Sequence, residues 1–141
     1  MATGKTHGKH VTVTYNSQDI SDDVKTIGGL GVSYDEVDVS GLEAVRDYVA
    51  GMGDSTVVLT GSFDNTASSG AHTVLSAANG NNTSYTLTVA VGIRTAPAGG
   101  DPEFEGGYIT TNYLVNVDPA TGWTATLKPA FGAASPAWGT V

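Results

Sequence analysis

Between Ser33 and Asn65 the chain reads SYDEVDVSGLEAVRDYVAGMGDSTVVLTGSFDN, two alternating segments held apart by a polar, acidic connector. The connector runs to about twenty residues, whereas connections inside compact domains usually take about 4–6. A stretch of that length is either disordered or used. This one carries Leu42, Val45, Tyr48, Val49 and Met52, apolar side chains whose burial is worth free energy. The pattern therefore predicts an arm over 40–54 that packs against another surface.

The flanks of the arm read as sheet. Val11, Val13 and Tyr15 share one parity and Thr12 and Thr14 the other, the signature of a half-buried strand. Val24 to Val39 gives two strand-like pieces split by Gly28-Gly29, with a change of parity near Glu36 that predicts a bulge. Within the arm, Ser40-Gly41-Leu42-Glu43 matches a capping box, and Leu42, Val45, Val49 and Met52 follow at helical spacing, so a short helix is expected there. Ser55 to Phe63 is the strongest strand, with Val57, Leu59, Gly61 and Phe63 on one face.

Ala71 to Ala78 places Ala71, Val74, Leu75 and Ala78 on one helical face, with Ser68 or Ser69 as N-cap and Asn79-Gly80 as the stop. Tyr85, Leu87, Val89 and Val91 alternate again. Residues 94–107 hold Ala96-Pro97, Gly99-Gly100 and Asp101-Pro102 and read as a loop. Tyr108 to Leu127 reads as a hairpin around Pro119-Ala120-Thr121-Gly122, with a parity change between Thr110 and Tyr113. The expected fold is mainly β, a β-sandwich or partly closed barrel of about seven strands with one short flanking helix and a long inter-strand arm. Residues 1–8 are expected to form a mobile tail and 9–141 a single domain.

Charge and composition narrow the functions. Fourteen acids against six lysines and arginines give a net charge of −8, which opposes binding through nucleic-acid phosphates. Asp19, Asp22, Asp23, Asp35, Glu36, Asp38, Glu43, Asp47 and Asp54 crowd one third of the chain. Such acids either keep a surface solvated or form a wall that repels DNA; Asp35, Glu36 and Asp38 are the candidates for lumen or surface acids. The absence of cysteine removes disulfides, thiolate metal sites and cysteine nucleophiles together. No apolar run is long enough to span a bilayer and no signal peptide is visible, so the expectation is a soluble chain made in a cytoplasm, without a membrane partner.

Catalytic and binding motifs are incomplete. Gly4-Lys5-Thr6 lacks the upstream glycine, strand and following helix of a phosphate loop. His7 and His10 lie in the expected tail without a partner set for a metal. His72 has no Gly-x-Ser-x-Gly turn to serve. The acid-rich windows Asp19–Asp23 and Asp35–Asp38 lack the full set of calcium ligands. Neither an enzyme nor a cofactor is expected. Trp123, Tyr108 and Tyr113 would be the stacking platform if the chain were a sugar- or peptide-binding sandwich.

Asp38-Val39-Ser40, Asp47-Tyr48-Val49-Ala50-Gly51, Asp54 and the strand ending Leu59-Thr60-Gly61-Ser62-Phe63-Asp64 together resemble the small tail tube proteins of long-tailed bacteriophages. Asp19-Ile20-Ser21 and the closing Trp138-Gly139-Thr140 extend the resemblance over roughly Asp19 to Val141. It implies a virion protein, assembled in the host cytoplasm, that forms hexameric rings stacked around a channel through which DNA passes without specific binding. Val24–Val39 and Val57–Phe63 would then wall the channel. Leu42, Val45, Arg46, Tyr48, Val49 and Met52 would form the inter-subunit arm, with Arg46 paired to an acid of the adjoining ring. Partners would be further copies of the chain and other virion proteins. Capsid decoration proteins of some phages are similar in fold and size and give the alternative, a clamp on the head shell using residues 2–9.

Overall fold

A computed structural model describes residues 6–42, 45–93, 95–117, 119 and 121–141. Met1–Lys5, Glu43, Ala44, Arg94, Asp118 and Ala120 lie outside the described residues, and with them most of the expected tail and the Glu43 half of the capping box. In chain order the elements are β1 (Val11–Tyr15), β2 (Gln18–Asp19), β3 (Val24–Gly28), β4 (Ser33–Asp38), β5 (Tyr48–Asp54), β6 (Val57–Ser62), α1 (Ala71–Ala78), β7 (Tyr85–Val91), β8 (Pro102–Asn116), β9 (Gly122–Pro129) and β10 (Ala137–Thr140).

Eight strands form one antiparallel sheet in the order β2-β1-β7-β8-β9-β6-β3, with β10 added beside β8. The sheet curls strongly. Val11 and Val13 of β1 line the same groove as Val24 and Ile27 of β3, although those strands lie near opposite ends of the strand order. The barrel does not close, because β3 pairs only with β6. No described helix is long and apolar enough to cross a membrane.

The alternation read from the sequence sets the core. Val13, Tyr15, Val57, Leu59, Leu87, Val89, Trp123, Ala125 and Leu127 all point inward. The four residues of the predicted helical face, Ala71, Val74, Leu75 and Ala78, are the buried residues of α1. The parity change between Thr110 and Tyr113 is a register shift between Thr110 and Asn112, which turns the two halves of β8 relative to each other.

Two local expectations fail. Residues 102–107 belong to β8 and not to a loop. Pro102 opens the strand, where a missing N–H is tolerated, and Phe104 pairs with Val89 and is fully buried. Gly106-Gly107 marks a close approach inside the strand: a Cβ on Gly107 would sit 2.4 Å from that of Ala133. The helix cap also differs. Gly70 is the N-cap and offers no side chain. Ser68 sits at φ 68° in the preceding turn, and the Ala71 N–H donates instead to Asp23 Oδ2 at 3.1 Å, a carboxylate brought from the start of β3.

That long-range cap has a pH signature. Partial burial first, then the neighbouring Asp64, raises the Asp23 pKa above the ordinary carboxylate value. A carboxyl harder to ionise when folded holds its proton more tightly in the native state, so stability falls as pH rises through the window just above the usual carboxylate pKa. Asp64 is held below its usual value by hydrogen bonds from Thr66 and contributes the opposite slope at lower pH. Asp23→Asn keeps an acceptor for Ala71 and is expected to remove the falling limb in pH-dependent urea unfolding. Asp23→Ala is expected to lose about 1 kcal/mol with the cap.

Gly61 explains the glycine in the Leu-Thr-Gly-Ser-Phe motif. It pairs with Val24 on one side and Trp123 on the other, and a Cβ there would lie 1.7 Å from the Asp23 carbonyl oxygen. Gly61→Ala is expected to lower the unfolding free energy by about 3 kcal/mol, because backbone must move to admit the methyl. Gly99→Ala, with nothing within 4 Å of its added carbon, is expected to change it by less than about 0.5 kcal/mol. Urea titration of the two variants makes the comparison.

Candidate assembly interface

The arm is a β-hairpin. β4 and β5 form their own two-stranded ribbon, separate from the main sheet. The pairs are Ser33 with Asp54, Tyr34 with Gly53, Glu36 with Ala50, Val37 with Val49 and Asp38 with Tyr48. The expected helix is absent among the described residues, and 48–54 are strand. Tyr and Val favour a pleated surface, while Gly51 and Gly53 weaken a helix interior. Ser40 takes part in a different cap. Its hydroxyl accepts the Asp47 N–H at 2.7 Å, and its own N–H donates to Asp38 Oδ1 at 2.8 Å. These bonds close the ribbon beneath the tip, and the Ser40 hydroxyl first and its N–H second hold the Asp38 carboxyl below its usual pKa.

The predicted bulge sits where the parity changed. β4 advances from Tyr34 to Glu36 while β5 passes from Gly53 to Ala50, so the extra residue is in β5. Alternation then gives the ribbon two faces. Val37, Val39 and Val49 share one with Asp35 and Asp47; Tyr34 and Tyr48 share the other with Glu36 and Asp38. Every arm residue named from the sequence is exposed: Leu42 completely, Met52 at 81% and Val45 at 73%, with Tyr48, Val49 and Arg46 also open. Tyr34, Val37 and Val39 belong with them and were missed, although their alternation was visible. Arg46 lies 4.0 Å from Asp38 of its own chain, both largely exposed.

While the distal ribbon is free, its root is fixed. Ser55, buried just after β5, donates to the Gly31 carbonyl at 2.7 Å and accepts the Tyr108 hydroxyl at 2.7 Å. Those bonds tie both ends of the hairpin to β8. Lys128 of β9 reaches Asp54 Oδ2 at 2.8 Å and Thr56 Oγ1 at 2.6 Å. The lysine holds the Asp54 carboxyl below its ordinary pKa. No local sequence pattern marks Lys128, because its partner is 74 residues away.

Most of the clustered acids lie off the main sheet: Asp35, Glu36, Asp38, Asp47 and Asp54 are on the hairpin, Asp22 and Asp23 are in the turn before β3, and Asp19 ends β2. One stretch of the sheet's outward face carries threonines, with Thr26, Thr60 and Thr124 in register beside Leu114. The proposed sugar platform is contradicted: Tyr108 and Trp123 are at 0% and 2% exposure, inside the core. The Trp123 indole N–H donates to the Ser62 carbonyl at 2.8 Å. His72 is bonded to the Tyr113 hydroxyl at 3.0 Å, beside Phe63. Among the described residues no group of three or more histidines, aspartates or glutamates is placed to hold a metal.

An open, curled antiparallel sheet with one helix and a projecting ribbon has close counterparts among solved structures. One is a chain of the extended sheath–tube complex of an extracellular contractile injection system, PVC. It superposes with a TM-score of 0.66 at 14% identity over 94% of this chain and 89% of that one. The chain has a tail-tube-like fold. A chain of the sheath/tube terminator from the same kind of system gives 0.68 at 12% identity, covering 93% of this chain and 94% of the other. A chain from the tail of an empty gene transfer agent particle, refined with C6 helical symmetry, gives 0.58 at 14% identity over 97% and 99% of the two chains. No protein-family model matches the sequence, and no curated protein does.

The root contacts generate a prediction about the ribbon alone. Lys128→Met removes the tie to Asp54 while its stem still packs. Amide exchange over 33–54 is expected to quicken by about two- to fivefold, as befits an exposed ion pair, with β8 and β9 unchanged. Hydrogen-exchange mass spectrometry reads both regions in one experiment.

Proposed function

We propose that this chain is a structural, non-enzymatic subunit of a phage-like tail, stacking as rings into the tube through which DNA passes. The observation that carries this is the hairpin. It holds apolar side chains on both faces, lies open to solvent, and is bolted at its root to the rigid body. An exposed apolar surface of this kind on a soluble domain marks an interaction site. The tail-tube-like fold supports the same reading, and the six-fold refinement of the gene transfer agent tail makes a hexameric ring the natural expectation.

In that role Leu42, Val45, Tyr48, Val49 and Met52 anchor a neighbouring copy, joined by Val37 and Val39. Arg46, exposed and only loosely engaged by Asp38, meets an acid of the adjoining ring. Docking of one patch on a different patch of the next copy is heterologous, and repetition that does not close builds a filament. Asp35, Glu36 and Asp38 keep passing phosphates from adhering wherever they face the channel, since acidic side chains oppose phosphate. Other virion proteins would cap such a tube at its ends. The head-decoration alternative rests on residues 2–9, of which 2–5 lie outside the described residues, and nothing in the described body favours it.

Replacing 35–52 by an Asn-Gly turn between Tyr34 and Gly53, which are paired at the ribbon's base, tests the reading. The shortened chain is expected to keep its fold by circular dichroism and to remain monomeric at concentrations where the full chain forms rings or tubes by negative-stain microscopy. Tubes assembled from the shortened chain would remove the hairpin from the assembly.

A further inference from the structure

The curled sheet leaves a seam between β1 and β3. It is a groove of about 300 Å³ lined by Val11, Val13, Val24, Ile27, Leu30 and Val89, with Lys25 at its rim. No residue of the chain's own hairpin lines it. The seam also borders a free strand edge, since β3 pairs with β6 on one side and, among the described residues, with no strand on the other. Unpaired edges of this kind accept an added strand.

Charge indicates what fits. Of the four described lysines and arginines, Arg46 and Lys128 meet carboxylates of their own chain, whereas Lys9 and Lys25 meet none. Lys25 lines the seam, and Lys9 is the next residue after Gly8, which also lines it. The complement is a narrow β-element with an aliphatic face bordered by carboxylates. The hairpin is such an element, with Val37, Val39 and Val49 flanked by Asp35 and Asp47, and each of its strands has one unpaired edge.

We propose that the seam is the acceptor for the β4–β5 hairpin of a second copy. The incoming ribbon lays its valine face over Ile27 and Leu30, aligns an edge beside β3, and brings Asp35 and Asp47 to Lys9 and Lys25. Backbone pairing supplies adhesion and the side chains supply register. The inference rests on the hairpin being the assembly element and adds the place where it lands.

The chain has no cysteine, so introduced thiols report position without background. Val39→Cys and Lys25→Cys are made in separate batches, mixed at assembling concentration and oxidised. A disulfide requires Cα atoms within about 7 Å, and a mixed dimer is expected for this pair and not for V39C with T88C, on the outward face of the sheet. In parallel, K9E/K25E is expected to raise the concentration needed for tubes by about tenfold or more, since like charges across an interface are disfavoured. D35K/D47K placed in the same chain is expected to restore it. Absence of the V39C–K25C product, or tubes unaffected by K9E/K25E, overturns the seam as acceptor. If the chain with the shortened hairpin still fails to form tubes in that case, the arm stands and only its landing site is wrong; if it forms them, both fall.

Discussion

Among the described residues β8 is the strand that joins the two halves of the sheet, and its bend decides how those halves face each other. Its first half pairs with β7 and β10, and its second with β9. A flat strand of this length would hold both halves in one plane. The irregularity between Thr110 and Asn112 lets them turn toward each other. The turn is fixed from inside, where the Tyr15 hydroxyl donates to the Tyr108 carbonyl at 3.0 Å and accepts from Thr110 Oγ1 at 3.3 Å. Burial raises the pKa of the Tyr15 and Tyr108 hydroxyls, so both stay neutral donors across the ordinary pH range. Among the described residues no buried side-chain polar atom lacks a partner, as a low-dielectric interior requires.

The same strand aims the hairpin. Tyr108 bonds Ser55, and Ser55 bonds Gly31, so the entry and exit of the ribbon share one buried hydroxyl. A projecting element held by apolar contact alone would swing; two directed bonds at its root define its direction. The distal ribbon has no such support and exposes Leu42, Val45 and Met52. Rigid base and unsatisfied tip are the arrangement expected of an element that binds elsewhere, because a preset direction lowers the entropy lost on docking.

The legible and illegible parts of the sequence divide along a physical line. Alternation exposed β1, β6, β7 and β9, and helical spacing picked out the four buried residues of α1, because burial writes a local period. Two of the three register shifts coincide with parity changes in the sequence, near Glu36 and after Thr110, and the third, between Val24 and Thr26, does not. What failed was local chemistry overruled from a distance. Ser68 and Ser69 were plausible caps, but Asp23, from the turn just before β3, takes the place. Residues 102–107 read as the end of a loop because the sequence does not show Ala133 and Pro136 lying against Gly106 and Gly107. The short β2 and β10 lack the length to show a period. In the candidate site the arm residues were readable as apolar letters in a polar run, but Lys128 and Ser55, which aim the arm, have meaning only through partners far along the chain. The helical reading of the arm failed because Leu42, Val45, Val49 and Met52 fit a helical spacing while Gly51 and Gly53 weaken a helix and the tyrosine and β-branched residues favour strand.

Electrostatics constrains how such a subunit assembles. Each copy carries a formal −8, so bringing copies together gathers like charge, and Asp35, Glu36, Asp38, Asp47 and Asp54 are on the hairpin that must dock. Over distances beyond about 8 Å that repulsion is screened at physiological ionic strength, while apolar burial by the valine and leucine side chains is not weakened by moderate salt. Close charge pairs at the seam respond in the opposite sense from the net charge, since screening weakens their attraction. Association driven mainly by the hairpin's apolar faces should therefore strengthen as salt first rises and the long-range repulsion fades. An interface held mainly by Lys9 and Lys25 against Asp35 and Asp47 should weaken from the start. The apolar side chains of the ribbon outnumber the unpaired lysines of the seam, so the first behaviour governs: burial provides the adhesion and the lysines decide where the ribbon lands.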